Sequence, residues 1–143
     1  METVYITRRE NFNAAHKLWQ ENWSEEKNIA VFGKCSNNNW HGHNFTIYVT
    51  VKGKPNPETG FVINLKDLSD IIKEEVIEPL DHKNLNLDVP FLEGILASTE
   101  NVVIKIWGRI EQPILKAGGE LAKIKLVETE NNYVEYYGGK QPF

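Results

Sequence analysis

From Asn44 to Val51 the residues alternate without a break, with Asn44, Thr46, Tyr48 and Thr50 on one parity and Phe45, Ile47, Val49 and Val51 on the other. Successive side chains of an extended strand point to opposite faces, so this run dictates a β-strand with one apolar face and one polar face. A helix, with its period of 3.6, would scatter the same apolar residues around its circumference. Carried backwards on the same parity, the apolar row continues through His43 to His41.

Two other rows end in the same way. Val4, Ile6, Phe12, Ala14 and His16 share one parity and predict a strand interrupted near Arg8 to Glu10, with His16 closing its inward row. Ala122, Ile124, Leu126 and Glu128 form another row, which turns over Glu130-Asn131-Asn132 and returns through Tyr133 to Tyr137 as a hairpin. The Pro- and Gly-bearing cluster from Pro55 to Gly60 predicts a turn leading into Phe61-Val62-Ile63 as the second arm of a further hairpin. Between these strands the period changes. Leu65, Leu68, Ile72 and Val76 lie at helical spacing behind Asn64, a capping residue, and Pro79 should end that helix. Ser98 caps a second helix carrying Val103, Ile106, Trp107, Ile110 and Ile114, with Glu100 in its first turn.

The order β, β, β, α, α, β, β predicts an α+β fold, an antiparallel sheet with both helices packed on one face. With no repeat or internal linker, residues 1–143 form one domain, and the residues from Gly138 to Phe143 should be a loose tail. A hydrophobic content of 41% with 25% charged residues is that of a globular protein. The 20 acidic residues outnumber the 16 basic ones, which argues against nucleic acid as a partner. No apolar run is long enough for a membrane span, and the opening METVYITRRE lacks the apolar core of a secretory signal, so a cytoplasmic location is expected. Between His16 and His41 lie 24 residues, in which only Ser24 to Phe32 suits a short helix.

Three of the four histidines thus continue inward-facing rows at strand ends. Zinc takes nitrogen or sulfur donors that converge tetrahedrally, and His41-Gly42-His43 offers two imidazoles on one strand face, with Gly42 leaving room between them. His16 is the remaining histidine of matching parity, and three ligands leave one coordination position open, as in a catalytic site. The same residues also suit a polar edge of the core in which each histidine is satisfied by hydrogen bonds. Cys35 is the sole cysteine and stands in the polar stretch from Gly33 to Asn39, where Lys34 and a nearby zinc would favour its thiolate. Asp81 and His82 follow the first long helix, where they suit either a proton-transferring pair or a polar helix terminus. Their hydrogen bonding to each other requires the loop to bend.

Taken in order, the fragments Phe12-Asn13-Ala14-Ala15-His16, Phe32-Gly33-Lys34-Cys35, His41-Gly42-His43-Asn44, Pro79 to Leu85, Ser98-Thr99-Glu100-Asn101 and Glu128 to Asn132 resemble the signature set of 6-pyruvoyl-tetrahydropterin synthases. The resemblance spans nearly the whole chain and implies a tunnelling fold, which trimerises into a β-barrel and stacks as a homohexamer. It implies His16, His41 and His43 as zinc ligands, Cys35 as the base, Asp81 and His82 as the rest of a catalytic triad, and Glu128 as the anchor of a pterin. Thr99 and Glu100 would line the same pocket, or cap the helix, or do both. The implied reaction converts 7,8-dihydroneopterin triphosphate to 6-pyruvoyl-tetrahydropterin with loss of triphosphate. Phe45 and Glu130 depart from the tyrosine and aspartate common in the family, away from the implied ligands. Two rivals stand beside this reading. One is 6-carboxytetrahydropterin synthase of the deazapurine pathway, which typically has three rather than five residues between cysteine and His-x-His. The other is a pterin- or metal-binding module without catalysis, for which Cys35 would have no use.

Overall fold

The computed structural model describes residues 2–37 and 40–140. Strands β1 (Val4–His16), β2 (His41–Gly53), β4 (Glu120–Thr129) and β5 (Asn132–Tyr136) form an antiparallel meander, and a two-residue β3 (Lys83–Asn84) joins its edge. The order across the sheet is β3-β1-β2-β4-β5. Because β3 pairs in parallel with Ala14 and Ala15, the sheet is mixed, not wholly antiparallel as the sequence pattern implied. The helices are α1 (Glu25–Phe32), α2 (Leu65–Ile72), α3 (Glu78–Leu80) and α4 (Thr99–Lys116), with a π-helical stretch Lys73–Ile77 joining α2 to α3. No helix among the described residues is long and apolar enough to cross a membrane.

The parity rows decide which face of the sheet is covered. Phe12, Phe45, Ile47, Val49, Ile124 and Leu126 are buried together with Leu68, Ile72 and Val76 of the first helical rod and Val103, Ile106, Ile110 and Ile114 of α4. Both rods therefore pack on one face, as expected. The opposite face carries polar cross-strand pairs: Asn13 Nδ2 donates to Asn44 Oδ1 at 2.6 Å, Thr46 Oγ1 to Asn11 Oδ1 at 3.0 Å, and the Thr7 and Thr50 hydroxyls meet at 2.8 Å. Asn64 caps α2 by accepting from the Lys66 N–H, and Ser98 caps α4 by accepting from the Asn101 N–H.

Three local expectations are corrected. β1 is not interrupted at Arg8 to Glu10; its ladder with β2 runs unbroken from Val4 to His16, and Arg8 neutralises Glu10 on its own strand face at 2.8 and 2.9 Å. Phe61-Val62-Ile63 is not a strand, because its side chains close the end of the sheet while its backbone joins no ladder: Val62 lies against Gly53, and Ile63 is buried. The first helical rod does not stop at Pro79 but continues to Leu80, the proline being accommodated behind the wider π-helical stretch.

The start of the tail is pinned rather than loose. Gly138 has φ +70°, and a β-carbon there would come within 2.3 Å of the Trp107 ring; Lys140 Nζ reaches Glu120 at 3.6 Å. Residues 141–143 of the expected tail lie outside the described residues. Gly138→Ala combines a left-handed backbone with displacement of a buried indole, so a loss of about 2 kcal/mol or more is expected in urea denaturation.

Candidate metal centre and active site

The β1–β2 register sets His16 opposite His41 and Ala14 opposite His43, so three imidazoles crowd one end of the sheet. Their ring centroids are 4.5 Å apart for His16 and His41, 5.3 Å for His16 and His43, and 4.9 Å for His41 and His43. His16 is buried, and its Nδ1 lies 2.7 Å from the Ala97 carbonyl. A carbonyl can only accept, so Nδ1 carries the proton and the lone pair is left on Nε2. That Nε2 has no hydrogen-bond partner, and neither do the buried Nδ1 of His41 and Nε2 of His43. Three orphaned imidazole nitrogens in one place are costly without a ligand and match the donor set of a divalent ion. Gly42, expected to make room between the rings, is not sterically demanded; a β-carbon there would meet the Ala14 carbonyl at an ordinary 3.5 Å.

Glu128 joins this group. Its Oε1 lies 3.0 Å from His43 Nε2 and 3.7 Å from His16 Nε2, although the nearer contact lacks hydrogen-bond geometry, since His43 Nε2 stays unpartnered. The four residues His16, His41, His43 and Glu128 each offer a donor atom within 4.8 Å of the others, and the group can bind a metal ion. The placement of Glu128 has a backbone cause. Val127 pairs with Tyr133 and Thr129 with Asn132, which leaves Glu128 as the extra residue of a β-bulge. A bulge re-aims a side chain, here toward the imidazoles. The parity row ending in Glu128 pointed to the inward face; the bulge left no mark in the sequence.

The second Glu128 oxygen accepts from the Thr99 hydroxyl at 2.6 Å. Thr99, Glu100 and Glu128 line a common cavity of about 270 Å³, together with Asn132, Tyr133 and Val134. The last three were not singled out from the sequence, although Asn132 ends one of the fragments that carry the family resemblance. Burial pushes His41 and His43 below the ordinary histidine value; repulsion from His16 adds to this at His41, and Glu128 opposes it at both. Neutral imidazole is the form that ligates a metal.

Cys35 lies in a short 3-10 turn (Gly33–Ser36) after α1, and its carbonyl accepts from the Leu18 N–H at 2.7 Å, which ties it to the chain leaving His16. The 24-residue connection is held by buried Asn28, whose side chain accepts from Gln20 N and donates to the Gln20 and Ser24 carbonyls. In the metal-free chain, burial first and then the Glu128 carboxylate push the Cys35 thiol above its ordinary value, so the lowering expected from Lys34 is not seen there; the lowering expected from a nearby zinc would act against both.

Asp81 and His82 do meet. His82 has φ +58°, the bend that brings its Nδ1 to 3.0 Å from Asp81 Oδ2. The Asn13 backbone N–H donates to Asp81 Oδ1 at 2.8 Å, and the His82 N–H donates to the Asn13 carbonyl at 2.6 Å. The Asn13 N–H first, and then His82, hold the Asp81 carboxyl below the usual range. Among the described residues, no hydrogen bond or ion pair joins this pair to Cys35 or to the histidines, and the His82 side chain is 82% exposed.

A family model described as 6-pyruvoyl tetrahydropterin synthase matches residues 5–139. The chain is 47% identical to 6-pyruvoyl tetrahydrobiopterin synthase of Pongo abelii over 133 residues, covering 93% of this chain and 90% of that protein. It is 45% identical to the Dictyostelium discoideum protein of the same name, covering 95% and 97% respectively. The solved structure of Caenorhabditis elegans 6-pyruvoyl tetrahydropterin synthase superposes with a TM-score of 0.88 at 34% identity, covering 97% of this chain and 98% of that one. On that family match, those identities and that shared fold, the chain belongs to the 6-pyruvoyl tetrahydropterin synthase family and is an enzyme of the lyase class.

Proposed function

We propose that the protein converts 7,8-dihydroneopterin triphosphate to 6-pyruvoyl-tetrahydropterin with elimination of triphosphate, using zinc held by His16, His41 and His43. The observation that carries this reading is the set of three orphaned imidazole nitrogens gathered with Glu128, whose carboxylate also lines a polar cavity. Zinc, when bound there, supplies a Lewis acid that lowers the pKa of the substrate's side-chain hydroxyls.

Glu128 anchors the pterin, because the guanidine-like edge of the ring offers parallel N–H donors that a carboxylate accepts bidentately. Thr99 Oγ1 and the Glu128 bulge fix the orientation of that carboxylate, and Glu100 borders the cavity at the α4 N-terminus. Cys35 takes the carbon-bound proton next to a side-chain hydroxyl, and reprotonation on the ring transfers the oxidation internally. Asp81 and His82 carry protons while triphosphate leaves the adjacent carbon. Because His82 is exposed on the single chain, these two groups complete the site of a neighbouring copy.

Two open edges support such an assembly. Among the described residues, β5 is an edge strand, and β1 before Ala14 has no ladder partner on the side away from β2. Edge-to-edge pairing of copies would remove both edges by closing the sheets into a barrel, as in a trimer stacked to a homohexamer. The substrate is a free metabolite, and a cytoplasmic location suits it.

Incubating the zinc-loaded protein with 7,8-dihydroneopterin triphosphate and resolving products by mass spectrometry is expected to give 6-pyruvoyl-tetrahydropterin and triphosphate in equal amounts. A 6-carboxy product would assign the chain to the deazapurine reaction instead, and bound but unaltered pterin would make it a binding module.

A further inference from the structure

The helical rod leading to Asp81 is broken by its own sequence and repaired by a side chain from another helix. In the π-helical stretch the Glu78 N–H reaches back to the Lys73 carbonyl, and beyond the rod the Asp81 N–H returns to the Ile77 carbonyl at 2.7 Å. Between those two acceptors stand the carbonyls of Glu74, Glu75 and Val76, and between the two donors only Leu80 has an N–H, because Pro79 has none. Two of the three carbonyls therefore lack a helical donor. Glu74 is exposed, whereas Glu75 is half-buried and meets Arg109 of α4. There the Arg109 Nε donates to the Glu75 carbonyl at 2.8 Å, at the position an N–H on residue 79 would serve. The same guanidinium pairs with the Glu75 carboxylate at 2.9 Å and stacks 4.4 Å above the Phe91 ring, so its orientation is held from three sides.

We propose that Arg109 is a positioning residue for the Asp81–His82 pair, standing in for the backbone donor that Pro79 removes. The turn it secures is the last one before Asp81. From there the chain has two further anchors, Asp81 N–H to Ile77 and the paired contacts of Asp81 and His82 with the Asn13 backbone. With the Glu75 carbonyl unpaired, the Pro79 turn loosens, and the geometry that sets His82 at φ +58° beside Asp81 loosens with it. The consequence for turnover rests on the catalytic reading of Asp81 and His82; the positioning itself does not.

The experiment compares the zinc-loaded wild type with Arg109→Met, Pro79→Ala and the double variant, by residue-resolved amide hydrogen exchange and by steady-state kinetics. Arg109→Met should speed exchange of the Asp81 and His82 amides by roughly 10-fold or more relative to the β2 amides, the signature of local opening. Pro79→Ala restores an N–H that can serve Glu75, so the double variant should exchange at these amides within about 3-fold of Pro79→Ala alone, the non-additivity of two groups sharing one role. In the kinetics, Arg109→Met should lower kcat by about 10-fold with KM nearly unchanged. Unchanged exchange at Asp81 and His82, an equal rise throughout the sheet, or no relief by Pro79→Ala would each overturn the inference. If exchange behaves as expected and kcat does not move, the positioning role stands and the catalytic role of Asp81–His82 falls.

Discussion

Cys35→Ala should keep its metal and lose its turnover. Cys35 is not among the four residues whose donor atoms converge at the sheet end, so removing its sulfur leaves the ligand set whole. As the base of the proposed reaction it supplies the proton transfer, a contribution of about 10²–10⁴ in rate. The expected result is a kcat lower by that factor, with the zinc content of the wild type and nearly unchanged pterin affinity. Partial exposure of Cys35 limits any stability change. In the metal-free chain burial and the Glu128 carboxylate both raise the thiol's pKa, and positive charge brought to the site by a metal would act against them. Metal analysis alongside kinetics makes the test two-sided. Near-normal turnover would remove the thiol from the chemistry, and loss of metal would make Cys35 a ligand.

Much of the site was legible because strand parity is a strong signal. The rows through Phe12 and Ala14, through Phe45, Ile47, Val49 and Val51, and through Ile124 and Leu126 each end in a polar residue, and antiparallel pairing brings those ends together. The features that escaped depend on partners far away in sequence. The Arg8–Glu10 pair lets β1 run on through residues that read as an interruption. β3 pairs over only two residues, too few for any pattern, and the bulge at Glu128 is visible only once β5 is laid against β4. Pro79 reads as a helix end unless the donor from Arg109, 30 residues on, is known. The bend between Asp81 and His82 likewise follows from the Asn13 backbone that both residues grip. Each of these is a local preference overruled by a tertiary contact.

His41→Ala should lose metal and turnover together, and comparison with His16→Ala separates ligation from architecture. A catalytic zinc held by three protein ligands has none to spare, so removing either imidazole should reduce bound zinc to a small fraction of one ion per chain. Turnover should follow, since the substrate hydroxyls then lose the group that acidifies them. The stability effects should differ. His41 makes no hydrogen bond through its buried Nδ1, and truncating it removes an orphaned polar atom. His16, in contrast, gives its Nδ1 proton to the Ala97 carbonyl just before the capped start of α4, and Ala97 is buried. Without that donor the carbonyl is stranded, at a cost of about 1–3 kcal/mol. In metal-free protein, where ligation contributes nothing, urea denaturation should therefore find His16→Ala weaker than the parent by about that amount and His41→Ala close to it. Equal destabilisation of the two would mean that the Ala97 contact carries no structural weight, and full zinc occupancy in either would take that histidine out of the metal centre.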